Sequence, residues 1–439
     1  MFSNTQRRAS HILHRIHAVL LGSALLLLAG CASRHEDGTT LTFWTIGREG
    51  EAVVQLLPEF ERLHPGIHVK VQQLPMTAAH QKLLTAFAGS STPDLSQLGN
   101  TWLPEFAALN ALEPLQPRVD HSAVVKPDDY FANIWATSVI EGKLVGVPWY
   151  VDTRLIFYRS DLLRAAGFDA PPRTWDEWRK VLAALSKPQD GIYGILLPTN
   201  EYEQLMSMAL QQPEPMLRED GRYGNFRSAG FKRALSFYVE TFRLHQAPPI
   251  TNVEAGNPWD EFGRGVYAFY FSGPWNIGEF RKRLPANEQD AWATAPLPGP
   301  DGAGVGAAGG SSLVIFRDSA HKAEAWTLIE YLSRPDVQQR FYELLGDMPA
   351  RRSAWDGDGL RNDPKVRAFR EQLEHVKPTP PVPEWEQIVN EMQLVAAQAV
   401  AGRLSIDETA AEMDRRADRI LEKRRWILDH ERHAAGDAP

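Results

Sequence analysis

From Leu41 onward, short apolar runs alternate with amphipathic stretches of helical period, joined by brief polar loops. A chain patterned this way buries itself as strands covered by helices, so the alternation sets the class as α/β. Leu41 to Thr45 reads as a buried strand, followed by a turn at Gly47-Arg48-Glu49-Gly50. Val53, Leu56, Leu57, Phe60 and Leu63 recur at helical spacing, and His64-Pro65-Gly66 stops that helix. Ile67 to Val71 alternates as a second strand. Lys82 to Ala88 is helical, Asp94 to Leu98 is a third strand and Leu103 to Leu109 a third helix. Such units with short connections predict mostly parallel sheets with helices on both faces.

The alternation resumes downstream. Leu144 to Pro148, Leu155 to Tyr158, Tyr267 to Phe271 and Leu313 to Phe316 are strand-like. Asp176 to Leu185 is helical, capped by Thr174 or Asp176. Phe231, Leu235, Tyr238 and Phe242 share one face of a helix over Phe231 to Arg243. A helix spans His321 to Leu332, and two long ones, Trp385 to Ala401 and Ile406 to His430, close the chain before a frayed end at Ala434 to Pro439.

Ahead of the fold stands a segment of another kind. Arg7, Arg8 and Arg15 precede an apolar run from Ala18 to Leu28, too short for the roughly 20 residues a membrane span needs and of signal-peptide length. Leu28-Ala29-Gly30-Cys31 resembles the bacterial lipobox, whose Cys receives a diacylglycerol. Cys31 is the single Cys of the chain, so an intrachain disulfide and a Cys-x-x-Cys redox pair are excluded. Residues 1–30 are therefore expected to be a lipoprotein signal peptide, and 31–40 a tether to the membrane. The remainder, about 400 residues, suffices for two domains. A composition of 43% hydrophobic and 23% charged residues is globular, and a formal net charge of −8 argues against a nucleic-acid partner.

Seven segments in fixed order carry a family resemblance: FWTIGREGE, EFERLHPGIHVKV, AFAGSSTPDL, VGVPWYVDTRLIFYRSDLL, PPRTWDEW, FYFSGPW and GGSSLVIF. Together they resemble the family 1 extracellular solute-binding proteins of ABC importers, in the maltose- and trehalose-binding branch. The resemblance implies a two-lobe periplasmic-binding-protein fold, each lobe a mostly parallel sheet flanked by helices, with a ligand cleft between them. By analogy the crossings fall near Val147-Pro148, Ala295-Pro296 and Met348-Pro349. Residues 41–147 and 297–349 then form the first lobe, and 148–296 and 350–439 the second. The partners implied are a small sugar and the transmembrane permease subunits; the protein would be a periplasmic monomer without cofactor or metal.

A sugar presents C–H faces that pack on aromatic rings and hydroxyls that pair with carboxylates, amides and Arg. Glu49 and Glu51 sit at the carboxyl end of the first strand, where open sheets bind ligands, although either also suits a helix N-terminus. Tyr150 and Asp152 match a family pattern of aromatic plus Asp. Asn100 stands near where relatives often carry Asp, and Trp102 follows it. Tyr202 and Glu203, with Glu201 before them, follow another strand end. Trp275 lies on the Gly273-Pro274 turn as a stacking ring. Gly310 and Ser311 open a strand where some relatives have Trp. Arg351 matches a family Arg, with Arg352 as its alternative.

Several other patterns carry no chemistry. Gly304-x-Gly306-x-x-Gly309 fits a dinucleotide fingerprint but precedes a strand instead of opening a helix. His64 and His68 flank Pro65-Gly66, which forbids a helical metal pair. The rival function is a glycoside hydrolase, which needs two carboxylates about 5 Å or about 6.5–9.5 Å apart. The resemblance favours a binding protein over an enzyme, with an α-linked glucose disaccharide such as trehalose or maltose as ligand.

Overall fold

The computed structural model describes residues 38–436. The signal peptide expected over 1–30 and the anchor at Cys31 lie outside those residues. Ten strands build two main sheets: β1 (Thr39–Ile46), β2 (Ile67–Leu74), β3 (Leu95–Gly99), β4 (Val147–Val151), β5 (Leu155–Arg159), β6 (Tyr193–Leu196), β7 (Tyr267–Ser272), β8 (Trp292–Ala295), β9 (Gly310–Ile315) and β10 (Met348–Pro349). The first sheet runs β10-β4-β9-β3-β1-β2, and the second β8-β5-β7-β6. Helices pack on both, giving the two-lobe α/β architecture expected. Among the described residues no helix is long and apolar enough to cross a membrane.

Strand directions are mixed within that architecture. β1 pairs in parallel with β2 and β3, as the strand-helix-strand pattern requires. β9 runs antiparallel to both β3 and β4, and β10 antiparallel to β4. In the second sheet β5 is antiparallel to β7 and β8, while β6 and β7 are parallel. Period-two patterning is the same in either direction, so a strand that enters a sheet from a crossing does not announce its polarity.

The crossings also shift. β4 pairs with β9 from Val147 through Val151, so the chain leaves the first sheet at Asp152 instead of Val147-Pro148. Met348-Pro349 is paired in β10, inside the first sheet. β8 ends at Ala295, where a crossing was expected. β1 begins at Thr39, inside the stretch read as tether.

The largest core runs from the first sheet onto one face of the second, and β5 divides it from the core on that sheet's other face. Its Leu155 and Phe157 join one core while Ile156 faces the other, the alternation of a strand covered on both sides. Helix Ala229–Arg243 buries Phe231, Leu235, Tyr238 and Phe242 as its spacing demanded. Helix Trp175–Leu185 is capped by Thr174, with Glu177 closing a capping box. The helix expected over 406–430 breaks at the buried Leu421 into Ile406–Ile420 and Glu422–Gly436, so the residues before 437 are helical.

Candidate functional site

The carboxyl ends of β3 and β4, the start of β9 and the N-terminus of helix Glu203–Leu210 converge on a cleft of about 370 Å³. Asn100 and Trp102 enter from the loop after β3. The Trp102 ring lies over Gly99, where a Cβ would stand 3.6 Å from it, and it also packs on His80, at 5.0 Å between ring centroids. Tyr150 and Asp152 come from β4 and the residue following it. Gly310 and Ser311 face them across the β4–β9 pairing, and Tyr202 and Glu203 close the far wall.

A buried network supports the floor. Tyr150 donates its hydroxyl to Glu49 Oε1 at 2.7 Å, and Gln97 Nε2 donates to the Tyr150 oxygen at 2.9 Å. Ser311 Oγ lies 3.0 Å from the same oxygen. Gln97 is fixed in turn by the Ile46 N–H at 2.9 Å. Burial raises the Glu49 carboxyl, against the lowering effect of the Tyr150 and Gln97 bonds.

Arg154 stands beside this floor. Its Nη2 meets Glu203 Oε1 at 2.8 Å and its Nη1 meets Glu201 Oε2 at 3.3 Å. Its guanidinium carbon lies 5.3 Å from the centre of the Trp275 ring. Burial pushes the Asp152 carboxyl up to about 6; the Arg154 charge opposes the rise, while Glu203, Glu49 and Glu201 add to it. Asp347, from the loop before β10, is raised well above its ordinary value by burial and then by Glu49 and Asp152.

Three buried polar atoms on cleft-lining residues have no hydrogen-bond partner among the described residues: the acceptor Asp152 Oδ1, the donor Asn100 Nδ2 and the hydroxyl Ser207 Oγ. Buried polar groups are nearly always paired, because a missing bond costs about 1–3 kcal/mol. A hydroxyl can donate to the first and accept from the second.

The structure thus brings Asn100, Trp102, Tyr150, Asp152, Tyr202, Glu203, Gly310 and Ser311 into one cleft, with Glu49 beneath and Trp275 at its edge. Glu51 is exposed and lies nearest Gln73, at 3.5 Å. Arg351 is elsewhere: its Nε bonds Asp129 Oδ2 at 2.7 Å and its Nη1 the Ser333 carbonyl at 2.7 Å, inside the first lobe. Arg352 pairs with Glu374. Sequence reasoning missed Gln97, Arg154 and Glu386. A polar Gln inside the apolar run of β3 was a usable signal, and Arg154 belongs to the same VPWYVDTR segment as Asp152. Glu386 gives no local signal, since a Glu opening a helix reads as ordinary. Among the described residues, no group of three or more His, Cys, Asp or Glu could hold a metal ion.

A two-lobe α/β fold with a polar, aromatic-edged cleft between its sheets is the architecture of the solute-binding proteins. Residues 44–339 match the bacterial extracellular solute-binding proteins, and the chain belongs to that family. The sugar-binding protein MalE of Xanthomonas citri is 54% identical, with a TM-score of 0.86 over 89% of this chain and 99% of that one. The GacH receptor of Streptomyces glaucescens, solved unliganded and with acarbose, is 25% identical, with a TM-score of 0.75 over 88% and 99%. The maltotriose-binding protein of Pyrococcus abyssi is 24% identical across 75% of this chain and 70% of its own. Family members are solute-binding proteins rather than enzymes, which sets the hydrolase reading aside.

Proposed function

We propose that the protein captures an α-linked glucose disaccharide such as trehalose or maltose in this cleft and presents it, as a monomer, to the permease subunits of an ABC importer. The observation that carries the reading is the unpartnered pair of Asp152 Oδ1 and Asn100 Nδ2 in the cleft wall. An unpartnered acceptor and donor on residues that line one cavity suit a hydroxyl-rich ligand, and Trp102 and Trp275 offer faces for its rings. The 54% identical relative is named as sugar-binding, and a more distant one as maltotriose-binding, which supports a glucose oligomer. Residues 41–147 with 297–349 and 148–296 with 350–439 serve as the lobes, with Val151 and Arg351 also falling to the first.

A thermal-shift panel of disaccharides tests the ligand. The right sugar at about 100 times its Kd stabilises by about 2.7 kcal/mol. No stabilisation by any disaccharide at millimolar concentration would overturn the reading. For the anchor, we infer acylation at Cys31 and retention on the periplasmic face of a membrane. Cys31→Ser should abolish incorporation of labelled fatty acid, and persistent labelling would refute it.

A further inference from the structure

Helix Trp385–Val400 belongs to the second lobe, where Ile388, Val389, Met392 and Val395 sit in its core. Its first turn reaches the opposite wall of the cleft. Thr101, on the first-lobe loop between Asn100 and Trp102, donates its hydroxyl to Glu386 Oε1. These residues stand 285 positions apart in the chain and are joined across the cleft by side chains alone. Both also line the cavity that holds Asn100, Asp152 and Tyr202. Glu386 Oε2 has no hydrogen-bond partner among the described residues, so one carboxylate oxygen is committed to the first lobe and the other is free to accept. Behind the contact, His80 Nε2 lies 2.6 Å from Glu105 Oε2 and packs on Trp102, which braces the loop carrying Thr101.

We propose that Glu386 is a further ligand-binding residue, bridging the lobes by accepting from Thr101 with one oxygen and from a sugar hydroxyl with the other. This rests on a sugar occupying the cleft. A carboxylate suits both tasks because it accepts through two oxygens at once, and its bonds in a closed cleft are charge-assisted. Bound sugar then holds the C-terminal helix over the Trp102 loop, and the helix favours the conformation that holds sugar.

The test measures trehalose and maltose affinity by calorimetry, and radius of gyration by scattering, for wild type, Glu386→Gln, Glu386→Ala, Thr101→Val and the Ala/Val double variant. Glu386→Ala should weaken binding roughly tenfold or more, as for loss of a charged hydrogen bond. Glu386→Gln, which still accepts from Thr101, should lose less. Thr101→Val should also weaken binding, and its effect should shrink in the Glu386→Ala background, since the two act together. A role confined to folding would move the melting temperature and leave no such coupling in affinity. Wild-type affinity and ligand-induced compaction in Glu386→Ala, or fully additive losses in the double variant, would overturn the bridge. Absence of binding in the wild type would instead overturn the sugar reading itself.

Discussion

Asp152 and Arg351 were expected to act alike on the sugar, and the structure separates them. Asp152 lines the cleft with its carboxyl raised to about 6, chiefly by burial. A group raised on folding contributes stability below its unfolded value of 3.8 and loses it as pH climbs to about 6. A hydroxyl donating to the ionised form pulls the carboxyl back down, so binding releases a proton and affinity should increase as pH rises through about 6. Calorimetry between about pH 5 and about pH 7 should show this slope, and Asp152→Asn should flatten it. An unchanged slope in that variant would assign the effect elsewhere. Arg351, only 7% exposed and tied to Asp129, is part of the first lobe's interior. Arg351→Ala should cost about 3 kcal/mol of stability by stranding its partner and leave the sugar affinity of the folded protein unchanged. A chemical melt beside a titration separates the two effects. The likeness of Arg351 to a family Arg located the segment but not the direction its side chain takes, which Asp129 and the Ser333 carbonyl decide.

At the scale of elements, the site depends on how closely β9 approaches β4. Gly310 adopts φ +130°, and a Cβ there would lie 2.3 Å from the Tyr150 carbonyl oxygen and 2.9 Å from the Val151 Cα. Gly310→Ala should therefore displace the strand that carries Tyr150. The expected cost is about 1–3 kcal/mol of backbone strain, with weakened sugar binding, read from a denaturant melt and a titration. The capping box of helix Trp175–Leu185 supplies a contrast. Thr174→Ala should lose about 1 kcal/mol and leave binding intact, because the cap is remote from the cleft residues. Helix faces such as Phe231, Leu235, Tyr238 and Phe242 were legible because their period is local. The polarity of β9 and the break at Leu421 were not, because each is settled by what packs against the element.

At the scale of the molecule, the lobes meet around a site to which both contribute. Asn100, Ser311 and Glu49 come from the first lobe, and Tyr202, Glu203 and Trp275 from the second. A ligand touching both sets binds the closed arrangement better and shifts the population towards it. Scattering should show a smaller radius of gyration with saturating sugar, and Trp fluorescence should change as Trp275, beside Arg154, meets the ring. A tightly bound sugar that leaves the radius unchanged would remove the physical basis for recognition by shape. The alternating pattern determined by itself the α/β class and the loops at the strand ends, because burial periodicity is written residue by residue; the length allowed two domains, and the two-lobe arrangement was what the family resemblance implied. Tertiary structure alone decided that Gln97 meets Ser311, that Thr101 meets Glu386 and that Arg154 rather than Arg351 supplies the cleft's guanidinium. Those choices join positions far apart in the chain, and a local pattern specifies which face is buried but not which distant side chain will fill the space against it.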